Sequence, residues 1–359
     1  MSTSFEPERR GLRGLGRPTG WGALLVVAAV ASAMLATAWP PASREEVEAQ
    51  PPGPVTFVFG GDVHFEGRVA ASLEGGAGGP LAGMAGTFAP EDIVVVNLET
   101  AITESDDAES KQFTFRAPPA VLGELVADGV DVVSLANNHG MDFGLVGLQD
   151  TLEAARAADL PLVGAGTSQA EAFAPWTATI GGHRVAVLGA TQVLDSSLAS
   201  SWAAGPSSPG LASAKQPAAL VEAVTRAAAE ADTVAVVLHW GVEKETCPTR
   251  AQQDLARAVV EAGADIVVGG HAHRLQGGGH LGDAVVGYGL GNLVFDTADT
   301  SEGALSGMLR VRADGQGRFD YQWVPARLVG GLPQRLEGEA ADAAVADWTD
   351  RRACTGLAD

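Results

Sequence analysis

The sequence predicts an α/β fold, on three observations. Short apolar runs starting at Val55, Ile93, Val130, Val185, Val234, Ile266 and Val285 read as buried strands. Helical stretches at 119–128, 145–158, 214–231 and 251–262 separate them. The polar clusters sit at the ends of the apolar runs, where open α/β sheets collect their function. Residues 307–312 and 319–324, around Asp314-Gly315-Gln316-Gly317, add a closing hairpin. The Ser-, Ala-, Gly- and Pro-rich stretch 196–213 is expected as a loop near the site.

Five of the strand ends deliver donor side chains. The first run ends in Gly60-Gly61-Asp62-Val63-His64 and the second in Asn97-Leu98-Glu99. The third leads into Asn137-Asn138-His139, a later one into His239-Trp240-Gly241, and 266–268 into Gly269-Gly270-His271-Ala272-His273. The two glycines before His271 are expected to turn the backbone sharply. Of seven histidines, only His183 and His280 lie outside these clusters. Imidazole, carboxylate and amide oxygen without cysteine suit Zn, Mn or Fe. So many donors exceed the needs of one ion. Two divalent ions about 3.5–4 Å apart, bridged by a carboxylate and a nucleophilic water, would use them. In D-x-H and H-x-H, alternation along an extended segment would point both side chains the same way.

The ordered motifs Gly-Asp62, Asn97-Leu-Glu99, Asn137-Asn138-His139-Gly-Met-Asp142-x-Gly144, His239-Trp-Gly-x-Glu243, Gly-His271-x-His273 and Gly289-Leu-Gly291-Asn292-Leu-Val-Phe295 carry a family resemblance. Over about residues 55–323 the chain resembles the CapA-like poly-γ-glutamate capsule biosynthesis family, a branch of the calcineurin-like metallophosphoesterases. The resemblance implies a four-layer αββα sandwich with a dinuclear site. It assigns Asp62, His64 and His273 to one metal and Asn138, His239 and His271 to the other, with Glu99 bridging. It makes His139 the group that protonates a leaving oxygen or steadies the transition state, with Asp142 orienting it. Two departures stand out: His64 follows the wider superfamily's D-x-H motif, and Glu99 occupies a bridging position that is normally aspartate.

Other residues admit two readings. Arg116 is a candidate phosphate or carboxylate clamp, or a surface ion pair; Arg68 is similar. Glu243 and Gln252 are either groups that orient ligands or solvated helix-cap residues. Asn292 is expected to bond backbone in a glycine-bounded turn.

Residues 1–39 hold Arg9, Arg10, Arg13 and Arg17 followed by an uncharged run from Trp21 to Trp39, long enough to cross a bilayer. This predicts a cytoplasmic N-terminus and a single-pass membrane anchor, with the catalytic domain outside. Cleavage after Ala36-Thr37-Ala38 would instead release a secreted protein. Residues 40–54, rich in proline and glutamate, read as a tether, and 55–359 as one domain. A net charge of −21 argues against nucleic acid as a partner. It also opposes long-range steering of a polyanion, which two metal ions would offset only locally. Cys247 and Cys354 are expected to form a disulfide tying the tail to the core, with free thiols as the alternative.

Two functional classes follow. One is a metal-dependent hydrolase, phosphoesterase-like, acting on a capsule or cell-envelope polymer. The other is a non-catalytic polymer-binding or export subunit of a capsule synthesis complex. The complete donor sets favour the first.

Overall fold

The computed structural model describes residues 52–76 and 78–359. The expected anchor 1–39 and most of the tether 40–54 fall outside the described residues. Among the described residues, no helix is long and apolar enough to cross a membrane.

Two sheets pack face to face between helices. The first runs Leu332–Arg335, Phe319–Val329, Leu305–Ala313, Val55–Val63, Ile93–Leu98, Val132–Ser134 and Leu162–Val163, with Asn292–Val294 pairing the end of Val55–Val63. The second runs Leu275–Leu281, Ala284–Leu290, Ile266–Gly270, Thr233–His239, His183–Thr191 and Trp176–Ile180. Side-chain alternation explains the layers. Phe57, Phe59, Val95 and Val132 of the first sheet meet Val187, Ala235, Val237 and Val268 of the second in the central core. The intervening Val58, Val94, Val96 and Val133 face outward against Leu122, Leu125 and Leu148 of helices Ala120–Ala127 and Gly144–Ala157. On the far side, Leu188, Val236 and Val267 meet Leu220, Val224, Leu255 and Val259 of helices Ala218–Glu230 and Arg250–Glu261. Strands covered on both faces are apolar throughout, which is why the runs read as continuous rather than alternating. The layers are those of the αββα sandwich, and the expected hairpin is the pair Leu305–Ala313 and Phe319–Val329.

The central strands of each sheet are parallel, so their carboxyl ends gather at one edge. A repeated device holds their opposite ends in register. An aspartate just before a strand accepts the backbone N–H of the neighbouring strand: Asp131 from Val94, Asp232 from Arg184 and Asp265 from Val234, each at 2.8 Å.

One edge strand lies outside the apolar runs of the sequence. Gln276-Gly-Gly-Gly-His280 resembles a loop in composition, yet Leu275–Leu281 is an edge strand. Its glycines make room for the C-terminal tail. A Cβ on Gly277 would lie 2.4 Å from the Arg352 nitrogen, and one on Gly278 would lie 2.7 Å from the Trp348 ring. Trp348, on helix Gly338–Asp350, stacks on Trp323 with ring centres 5.2 Å apart and seals the inter-sheet core. The Cys247–Cys354 disulfide then ties the tail to the loop that follows Thr233–His239.

Burial pushes the Asp265 carboxyl up to about 6, despite the Val234 N–H bond that favours its charge. The folded chain therefore keeps this proton where an unfolded aspartate, at 3.8, has lost it. Stability falls as pH rises between those values, by about 3 kcal/mol at most. Asp265→Asn retains an oxygen acceptor and drops the charge. Its unfolding free energy in urea is expected to exceed wild type by about 1–3 kcal/mol at pH 8, with the gap closing toward pH 4. A gap independent of pH would refute the buried-charge cause.

Candidate metal centre

The gathered strand ends place donors from both sheets around Glu99. Asp62, Glu99 and His273 form one triplet of donor atoms within 4.8 Å of one another, and Glu99, His239 and His271 form a second. Glu99 is common to both. Asn138 joins the second triplet through its Oδ1, 2.6 Å from His239 Nε2. The sheets meet closely here, since a Cβ on Gly270 would lie 2.1 Å from Asp62 Oδ1; within the second sheet, one on Gly269 would lie 2.0 Å from the Trp240 indole nitrogen. The two glycines are thus required for close approach within strand Ile266–Gly270, not for a turn. The turn comes one residue later, at His271 with φ 84° and His273 with φ 50°. The H-x-H rings consequently converge from left-handed backbone rather than from an extended segment.

His64 is not brought into either triplet. Pairing with Asn292–Val294 shifts register between Asp62 and Val63, which interrupts the alternation that D-x-H assumes. The His64 ring packs instead against Phe115 and Phe295, with centroids 4.5 and 4.1 Å away, and its Nε2 accepts the Asp296 N–H at 3.0 Å. Burial and the charges of His139 and His273 push it down to about 3. Arg116 is also drawn aside, pairing with Asp106 at 2.8 Å and donating to the carbonyls of Glu104 and Ser105. Arg68 pairs with Asp296 and Asp299.

His139 lies beside the triplets, its Nδ1 2.6 Å from Asp142 Oδ2. Asp142, fully buried, also accepts Phe115 N–H at 2.7 Å and binds Lys111 Nζ at 2.5 Å. Lys111 further donates to the Asn138 carbonyl and lies 5.0 Å over the Trp202 ring, from the 196–213 stretch. Burial lowers the His139 pKa, with Asp142 opposing.

Three amides missing from the sequence-based site set organise the centre. Asn97 Nδ2 donates to Asp62 Oδ1 at 2.8 Å and lies 3.2 Å from His239 Nδ1. Asn137 Nδ2 holds Asn97 Oδ1 at 3.0 Å, while Asn137 Oδ1 accepts the His139 N–H at 2.9 Å. Asn292 makes the expected backbone bond, to the Gly303 carbonyl at 2.9 Å, but its Oδ1 also sits 2.8 Å from His273 Nδ1. With His273 Nδ1–H donating there, Nε2 is left to face Glu99. All three lie within the motifs quoted above, and only their asparagine identity at strand ends signalled them. Lys111, in an acidic loop, carried no signal. Gln252 is a capping residue as expected, but it is buried, and its side chain donates to Gln276 at 2.9 Å.

The electrostatics are those of a cage short of positive charge. Burial and then the Asp62 charge push Glu99 well above the usual carboxylate range, and neither of its oxygens has a hydrogen-bond partner. Burial would raise Asp62 too, but the His273 hydrogen bond and the charges of His273 and His239 hold it below its ordinary value. Burial would lower His273, yet Glu99 and Asp62 drive it up to about 9, so the imidazolium supplies the missing cation. Burial and the neighbouring histidines push His271 down to about 4 and His239 well below its ordinary value. An oxygen- and nitrogen-lined cage with a buried carboxylate that has no hydrogen bond, and with His239 and His271 pushed toward their neutral form, fits a divalent ion.

Fold and site together define an α/β sandwich protein with a carboxylate- and histidine-lined cage, compatible with divalent metals, at the meeting edge of its sheets. The family follows from the sequence match: the model of the bacterial capsule synthesis protein PGA_cap covers residues 56–297, and the chain belongs to that family. It is 34% identical over 241 residues to the PGA biosynthesis protein CapA of Bacillus subtilis, covering 65% of this chain and 61% of that one. It is 37% identical over 212 residues to the capsule biosynthesis protein CapA of Bacillus anthracis, covering 57% of this chain and 50% of that one. Among solved structures, the sulfate thiohydrolase SoxB of Thermus thermophilus aligns with TM-score 0.41 and 18% identity over 73% of this chain and 42% of its own.

Glu99→Gln removes a carboxyl group whose ionised form burial and the neighbouring Asp62 disfavour. It is expected to raise the unfolding free energy of the metal-free chain by on the order of 1 kcal/mol or more, while weakening Mn²⁺ binding. Urea unfolding in chelator and again with added Mn²⁺ checks both halves. A variant less stable without metal would refute the electrostatic account.

Proposed function

We propose that this chain is a hydrolase of the cell envelope, dependent on two divalent ions, that acts in the assembly of a capsule-type polymer. The single observation carrying the reading is the buried Glu99 carboxylate without a hydrogen bond, ringed by Asp62, His239, His271 and His273. Asp62, Glu99 and His273 would hold one ion, and Glu99, Asn138, His239 and His271 the other. Bound there, divalent ions supply Lewis acidity and lower the pKa of water, whether as Mn, Zn or Fe.

The chain's own residues do the rest. Asp142 fixes the His139 ring through Nδ1, which leaves Nε2 to exchange a hydrogen bond or proton with a substrate oxygen. Lys111 neutralises Asp142, so that the acid binds the imidazole as an orienting partner rather than as an isolated charge. Asn97 and Asn292 hold Asp62 and His273 in place. Both relatives named above are biosynthesis proteins, PGA and capsule, which supports a substrate among anionic envelope polymers or their precursors. Residues 1–39 would anchor the chain in the membrane, with 40–54 lifting the domain outside it.

Elemental analysis of the purified full chain is expected to find about two equivalents of Mn, Zn or Fe. His139→Ala is expected to lower turnover of an aryl phosphodiester by about 10²–10⁴-fold with metal content unchanged. Trace metal only would sink the reading. Full metal without turnover of phosphoesters or γ-glutamyl polymers would favour a polymer-binding role instead.

A further inference from the structure

We propose that Glu243 is an additional carboxylate ligand of the centre, closing its solvent side across His271 and His273; this rests on the reading of the cage as a metal centre. A Glu243 oxygen and one ring nitrogen each of His271 and His273 lie within 4.8 Å of one another. The two buried triplets take these histidines from within. Glu243, exposed, meets them from outside. Among the described residues its carboxylate has no hydrogen-bond or ion-pair partner. The Nδ1 of His271, a residue only 6% exposed, is likewise unpartnered.

The backbone holds Glu243 there at a cost. Among the described residues four non-glycines have positive φ, and three of them are Lys244, His271 and His273, at 68°, 84° and 50°. Such conformations cost on the order of 1 kcal/mol or more each and persist where their surroundings over-determine them. The Lys244 N–H donates to the Ala272 carbonyl at 2.7 Å, which pins the residue after Glu243 to the residue between the two histidines. On the other side Gly241 has φ 91°, and a Cβ there would lie 2.7 Å from Gln252 Oε1. Beyond Glu243, Gln276 Nε2 donates to the Glu245 and Cys247 carbonyls at 3.0 and 3.3 Å. Gln276 is held by Gln252, and Cys247 by its bond to Cys354. The loop is therefore fixed at both ends around one free carboxylate. A hard oxygen donor there suits the same ions as the cage.

The test uses the full chain as wild type, Glu243→Gln and Glu243→Ala, stripped and reloaded with Mn²⁺ or Zn²⁺ alone. Competition against a chromophoric chelator gives the number and affinity of bound ions, and electron paramagnetic resonance reports the Mn²⁺ environment. Both variants are expected to bind at least one ion about tenfold more weakly, with an altered Mn²⁺ spectrum and an unchanged melting temperature of the metal-free protein. Wild-type affinities, stoichiometry and spectrum in both variants would overturn the assignment while leaving the centre intact. A wild-type chain that binds neither ion would overturn the centre and this ligand with it.

Discussion

The constraint on which the rest depends is the burial of two carboxylates, Asp62 and Glu99, where the two sheets touch. Removing an ionised carboxylate from water costs several kcal/mol even after relaxation, and a second one nearby adds repulsion. Asp62 is compensated by Asn97, His273 and the His271 N–H. Glu99 has no hydrogen bond at all. The scaffold must supply the stability to hold such a pair, and it does so behind the site. Phe57, Phe59, Val95, Val237 and Val268 occupy the inter-sheet core on the same strands that end in the donors. Each strand is an apolar shaft with a polar tip.

That division of labour decides what could be read from the sequence. Apolar runs and the donors that end them are local features, so the layers and the convergence of Asp62, Glu99, Asn138, His239, His271 and His273 were legible. What failed depends on partners distant in the chain. His64 follows the D-x-H spacing, but a register shift against Asn292–Val294 redirects it, and nothing within residues 60–66 encodes that shift. Gln276-Gly-Gly-Gly-His280 is a strand because a tail some seventy residues later covers it. Arg116 has the chemistry of an anion clamp, but an acidic loop reaches it first. Asn292 reads as a structural turn residue, which its Gly303 bond bears out, while its contact with His273 depends on the third dimension.

The C-terminal tail joins scaffold and site. Trp348 closes the inter-sheet core by stacking on Trp323, and three residues of glycine on Leu275–Leu281 admit the chain that follows. That strand also presents Gln276, which holds the loop after His239 from beneath. A disulfide joins the same loop to the tail directly, across 107 residues of sequence. Closing so long a loop removes more disorder from the unfolded chain than from the folded one, by several kcal/mol in the entropic account. The consequence is local as well as global. The loop has strained backbone at Lys244, opposite the strained His271 and His273, and strain survives only where both sides are anchored. One side is anchored by the sheet through Gly269 and Gly270, packed against Trp240 and Asp62. The other is anchored by the tail, so the last segment of the chain helps to set the geometry of donors that lie on its central strands.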